Sequence, residues 1–171
     1  FAANVSHTGL GKAVLSERNE ATVIRCEFVD NFAGGLHVDG NQLVTDCVFS
    51  RNRETGLGTS AAPNVVRCRF FHNTASSGGG MAHGEGSPTV VDSVFIGNSA
   101  GSAGALHSYG NIRLDNCLFS GNTAYFAGAI ESGFGTATLI NCTFVNNYAN
   151  DGGSVWFGGG GVIRNSIFWG N

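Results

Sequence analysis

Phe95-Ile96-Gly97-Asn98 and, one repeat later, Phe119-Ser120-Gly121-Asn122 carry the pattern that decides the fold. The same Phe-x-x-Asn unit recurs at Phe1/Asn4, Phe28/Asn31, Phe49/Asn52, Phe70/Asn73, Phe144/Asn147 and Phe168/Asn171, at intervals of 27, 21, 21, 25, 24, 25 and 24 residues. A period in that range belongs to a solenoid built one coil at a time. The repeats fill all 171 residues, which predicts one continuous stacked domain over 1–171 with no linker. With 27 Gly, two Pro and 42% apolar residues, the composition suits short strands joined by tight turns, an all-β reading.

Aligning the coils brings out columns of equivalent residues, each stacking on its partner about 4.8 Å away along the axis. One column is aliphatic throughout: Val23, Val44, Val65, Val90, Leu114, Leu139 and Ile163. Three residues on stand Cys26, Cys47, Cys68, Ser93, Cys117, Cys142 and Ser166, and two further on the phenylalanines, which strand alternation places on the same inward face. A second inward column reads Leu10, Leu36, Leu57, Met81, Leu106, Ile130 and Val155, preceded by glycines such as Gly34, Gly79, Gly104, Gly128 and Gly152 that suit positive φ or close backbone approach. The repeated Asn fits a turn whose amides stack as a ladder. Just before the Cys column, Arg25, Asp46, Arg67 and Asp92 alternate in sign and set register. The five cysteines lie in one inward column, so they are expected to be free, small buried hydrophobes.

The net charge is −3, and Lys12 and the eight Arg are scattered, so no basic footprint for nucleic acid exists. No run of about eighteen apolar residues is present to span a bilayer as a helix. Neither C-x-x-C nor H-x-x-x-H spacing occurs, and no metal or cofactor is expected. Because the chain begins and ends on the same motif, it is expected to be a segment of a longer solenoid, with further coils or copies of itself at the open ends.

The outward position next to the second aliphatic column holds Gly11, His37, Gly58, Ala82, His107, Glu131 and Trp156, with His83, Glu85 and Tyr109 beside it if the pleat relaxes into the following turn. His107, Glu131 and Trp156 fall on successive coils. Together with Tyr109 they form a candidate ligand-binding patch, since an imidazole, a carboxylate and an aromatic platform suit a sugar-binding groove. His107 and Glu131 are the catalytic candidates should that groove cleave its ligand. Against both stands the ordinary solvated surface that any outward column must have. A second face is more apolar than a solvated one: Val94, Leu118 and Ile167 before or beside the Phe column, and Phe71 and Ile96 after it. These are candidate interface residues, unless they bend inward at a turn.

The paired motifs resemble the repeats of the chlamydial polymorphic membrane proteins, with Phe95-Ile96-Gly97-Asn98 as the F-x-x-N unit and Ala127-Gly128-Ala129-Ile130 or Gly152-Gly153-Ser154-Val155 in the place of G-G-A-[ILV]. The resemblance implies a bacterial extracellular or cell-surface autotransporter passenger with an adhesive role. The expected fold is a single-stranded right-handed parallel β-helix of about seven coils of 21–27 residues. The leading functional expectation is an adhesive or structural scaffold that displays its outward columns to a glycan or a host or partner protein. Two alternatives remain: a carbohydrate-active enzyme or polysaccharide-binding module of the pectin-lyase-like type, and a self-assembling filament subunit. The N-T-D, D-D, G-H-G and R-I-K signatures of a polygalacturonase are missing, and Asp30, Asp39, Asp46, Asp92, Asp115 and Asp151 do not gather in one column as a calcium-dependent lyase would want.

Overall fold

A computed structural model describes the strand Val14–Ser16 and residues 22–171. All strands in it are parallel, and each pairs with its equivalent on the neighbouring coil. One coil runs through Leu106–Ser108, Ile112–Asp115, Leu118–Ser120 and Thr123–Phe126, and these segments belong to four separate sheets, here called I to IV in that order. Sheets I, II and III have seven strands each, hence six coil-to-coil steps, and sheet IV has four, from Thr74–Ser77 to Tyr148–Asp151.

Most strands are three residues long because three residues suffice to present one face and turn. In sheet III the central Phe points in and its neighbours point out, whereas in sheet I the outer two residues point in and the middle one out. The expected columns are in register. Phe28, Phe49, Phe70, Phe95, Phe119, Phe144 and Phe168 pair in sequence, as do Val23, Val44, Val65, Val90, Leu114, Leu139 and Ile163. The Phe rings stack with centroids 4.4 to 4.9 Å apart and planes within 9° of parallel. The coil rise imposes that spacing, and burying each ring contributes roughly 1.5–3 kcal/mol.

The second inward column runs Leu36, Leu57, Met81, Leu106, Ile130, Val155 as expected, but its first member is Val14, which pairs with Leu36. Leu10 lies outside the described residues, as do Phe1 and Gly11, and the residue paired with His37 is Leu15. The first interval, 27 residues, is the longest of the chain, so counting from the motif put the column four residues early.

From Asn31 to Asn147 each described Asn of the repeat is buried, and from Asn52 onward its side chain is fully used. Asn98 Nδ2 donates to Asn122 Oδ1 at 3.0 Å and to the Phe70 carbonyl at 2.9 Å, while its Oδ1 accepts the Asn73 backbone N–H at 3.0 Å and the Asn73 amide at 2.9 Å. Two donors and two lone pairs are thereby all satisfied. The same set repeats from Asn52 to Asn147, and the amide-to-amide ladder runs from Asn31 to Asn171. The Cys and Ser column does related work, which corrects the expectation of plain buried hydrophobes. Ser93 Oγ donates to the Val91 carbonyl two residues back at 2.9 Å and accepts the Cys68 N–H of the coil before at 3.1 Å. Cys47 does the same with Thr45 at 3.2 Å and Cys26 at 3.5 Å. All five thiols are free. The residue just before this column is left-handed on every described coil, with φ from 49° to 56° at Arg25, Asp46, Arg67, Asp92, Asn116, Asn141 and Asn165. The thiol or hydroxyl braces that turn, and Asn and Asp tolerate it well. Arg67 Nε bonds Asp46 Oδ1 at 2.8 Å across the coils and, mainly through that hydrogen bond, holds the Asp46 carboxyl down to about 2.

His83, expected beside the outward column, turns inward instead, because Met81 and His83 share one face of a strand whose middle residue, Ala82, faces out. It is 2% exposed, in a column with Val38, Thr59, Ser108 and Ser132. Its ring nitrogens make no hydrogen bond of normal geometry, and they lie near the Thr59 and Gly86 backbone. Burial lowers its pKa, so the folded protein holds it neutral.

Asn98→Ala strands the Asn73 N–H and the Phe70 carbonyl, and a loss of about 2–4 kcal/mol in urea unfolding is expected, with Asn98→Asp no better because a carboxylate cannot donate. The neutral His83 contributes stability that is complete above the unfolded pKa of about 6.5 and is lost as pH falls toward the lower folded value. Urea midpoints of the wild type are expected to drop between pH 6.5 and 5, and those of His83→Gln to drop less. Parallel curves would show that His83 does not drive the acid dependence.

Candidate binding trough on sheet I

The middle residues of sheet I form the outward column His37, Gly58, Ala82, His107, Glu131, Trp156, in register from coil to coil. Sheet IV joins sheet I through a turn at Ala103-Gly104 or Ala127-Gly128, where a Cβ on Gly104 would meet the Gly128 and Thr123 carbonyls. The turn is tight, and the two sheets meet at a concave corner. Outward side chains of sheet I therefore meet those of sheet IV rather than open water.

His107, Glu131 and Trp156 sit together as expected, yet this corner covers much of them. Ser102 Oγ of sheet IV donates to Glu131 Oε2, and the Phe126 ring meets Trp156 edge-on at 5.1 Å. The His107 and Glu131 side chains are 8% and 15% exposed, with Nε2 and Oε1 3.9 Å apart. Burial lowers the His107 pKa and the Glu131 charge opposes that only in part, so the imidazole is neutral. Tyr109 packs against His107 at 4.5 Å with the planes at 81°, and is the openly exposed member of the set.

Open space begins on the other side of His107. Gly58 and Ala82 carry too little side chain to fill the corner, which leaves a trough of about 720 Å³ along three coil steps from His37 to His107. Arg53, Glu54 and Thr55, then Ala75, Ser76 and Ser77, form one wall; Ser60, Gly84 and Tyr109 form the other. At the far end His37 Nε2 lies 2.6 Å from Asp39 Oδ1, which also accepts from Ser60 Oγ. Arg53 is held over the Phe32 ring, its guanidinium carbon 5.7 Å from the centroid. Sequence reasoning named the column and passed over its two smallest members. The signal was there, since a gap in a column of large side chains is a depression.

The trough offers hydroxyls, backbone amides, two imidazoles and one aromatic ring, a lining for a polar ligand lying along the axis. It is less suited to acid–base cleavage of a sugar. Asp39 and Glu131, the carboxylates paired with its histidines, stand four coil steps apart, about 19 Å at the coil rise, and a glycosidase pair needs roughly 5–9.5 Å. Among the described residues no three His, Cys, Asp or Glu side chains converge to hold a metal ion.

The candidate interface residues lie on the outer face of sheet III. Val94 pairs with Leu118 and Phe71 with Ile96, all half-buried, and Ile167 on the last coil is 59% exposed. None joins the core cluster, so the inward alternative does not hold for them. Arg69, Ser50, Ser120 and Thr143 interrupt the apolar columns. No helix among the described residues is long and apolar enough to cross a membrane.

Comparison with curated proteins returns no match. The sequence model of the family described as right handed beta helix region matches residues 3–124, a span that includes the trough and five of the described Phe-x-x-Asn repeats. The stacked parallel coils, the inward Phe and aliphatic columns and that match lead to one conclusion: the chain belongs to the right-handed β-helix family.

Proposed function

We propose that this chain is a display domain of a bacterial cell surface, adhesive in role, which holds a polar ligand in the trough between His37 and His107. The observation that carries the reading is the trough itself, a depression of about 720 Å³ floored by Gly58 and Ala82 and walled by hydroxyl-bearing side chains. A stiff stack of coils keeps such a surface rigid and extended, and little ordering entropy is lost when a ligand settles on it. The paired F-x-x-N and A-G-A-[IL] motifs support a surface passenger of the chlamydial polymorphic membrane protein type. A glycan or a host or partner protein is the intended ligand.

Sugar cleavage at His107 and Glu131 is the second reading, favoured by the 3.9 Å approach of a neutral imidazole to a carboxylate beside the exposed Tyr109. Against it, the Glu131 carboxylate already accepts from Ser102.

Incubation with a panel of neutral and uronic-acid polysaccharides, following binding, new reducing ends and unsaturated uronate, separates the two. Binding without turnover is expected, weakened at least about tenfold in Ala82→Phe, whose ring fills the floor, and little changed in Glu131→Gln. Turnover lost in Glu131→Gln would place catalysis at the covered cluster, and binding indifferent to Ala82→Phe would remove the trough from the account.

A further inference from the structure

On the side of sheet I away from the sheet IV corner, where each coil passes toward sheet II, a second surface adjoins the trough and shares Tyr109 with it. Tyr109 and Phe134 occupy this turn on consecutive coils, with ring centroids 6.0 Å apart and planes 17° from parallel. Tyr109 is 53% exposed and Phe134 84%. Stacking thus covers one face of each ring and leaves a broad aromatic surface in water, beyond what a single scattered apolar residue needs explained. Beside the rings lies a cleft of about 480 Å³ lined by Glu85, Asn111 and three glycines, Gly86, Gly110 and Gly135. Its floor is bare backbone because the coils leave no room there. A Cβ on Gly86 would come within 2.6 Å of the Ala61 carbonyl oxygen, and one on Gly110 within 2.7 Å of that of Gly86.

The lining has one charge, the exposed Glu85 carboxylate, and no cation among its members. Asn111 is occupied, its Oδ1 accepting the Thr136 N–H at 2.8 Å. An electron-rich ring platform next to a carboxylate that has no ion pair among the described residues recognises cations. The two rings are stacked rather than arranged as a box, so they offer a flat surface, suited to a planar guanidinium more than to a round quaternary ammonium. A guanidinium lying on that surface can direct its fork of N–H donors to both Glu85 oxygens. The chain uses the same contact internally, with Arg53 over Phe32 at 5.7 Å.

We propose that Tyr109, Phe134 and Glu85 form a docking platform for an arginine side chain of a partner protein. The platform shares only Tyr109 with the trough wall, and Phe134 and Glu85 lie outside the trough, so either site can fail without the other.

Surface plasmon resonance with immobilised hexa-arginine, hexa-lysine and hexa-citrulline peptides tests it, using the intact chain. Hexa-arginine is expected to bind several-fold more tightly than hexa-lysine, and hexa-citrulline to bind hardly at all. Phe134→Ala and Glu85→Gln are each expected to weaken hexa-arginine about fivefold or more, while Glu27→Gln, which removes an exposed carboxylate on sheet III, leaves it unchanged. Thermal melts are expected to coincide for all variants, since none of the three side chains is in the core. Equal binding of hexa-lysine, an equal loss in Glu27→Gln, or indifference to Phe134→Ala would each overturn the platform, reducing the signal to general attraction by a chain of net charge −3. Stronger competition by tetramethylammonium than by guanidinium ion would overturn it in favour of an ammonium site.

Discussion

Everything in this molecule depends on one coil holding the next in register. A strand of three residues has no stability of its own, and its N–H and C=O groups find partners only on the neighbouring coils. The pattern holds in the turns as well as the strands: Val94 N–H bonds the Cys68 carbonyl and Thr123 N–H the Asn98 carbonyl, each at 2.9 Å. The buried asparagines tie this together. The Asn98 side chain joins the previous coil's asparagine N–H, the previous coil's phenylalanine carbonyl and the next coil's amide oxygen, so a shift of one residue would break the ladder and misplace the Phe stack together.

That register also separates two kinds of position. Inward columns are bound to the stack and accept little variety: aliphatic, Cys or Ser, Phe. Outward columns are free to differ from coil to coil, and His37, Gly58, Ala82, His107, Glu131 and Trp156 do so. Function on such a scaffold is written in the outward columns, and where a column meets a concave corner its side-chain sizes set the relief. Two small residues make the trough, and large ones after them close it.

The inward columns were legible in sequence because periodicity speaks directly about stacking. Phe95 and Val90 needed only the repeat length and strand alternation. What failed was whatever depended on how one sheet turns into the next. Val14 displaced Leu10 because the first repeat is longer than the others. His83 turned inward because the strand keeps its pleat to its last residue, against the expectation that it relaxes. Glu131 and Trp156 lost exposure to Ser102 and Phe126, residues 29 and 30 positions earlier in the chain, and no spacing rule placed a concave corner between them. The cysteines were correctly free and inward, but their bonds to carbonyls two residues back follow from the left-handed turn before them, which charged residues such as Arg67 and Asp92 did not announce.

The direction of the asparagine bonds has a mechanical consequence. They run along the helix axis, as do the strand-to-strand bonds. Tension applied uniformly across the ends of the stack is shared by every bond between two coils, which must break together. Tension applied to the chain itself meets them one after another, and the terminal coil peels away while the rest keeps its form. Such a rod is strong under distributed load and gives way progressively under a point load, with extension by unravelling rather than by bending.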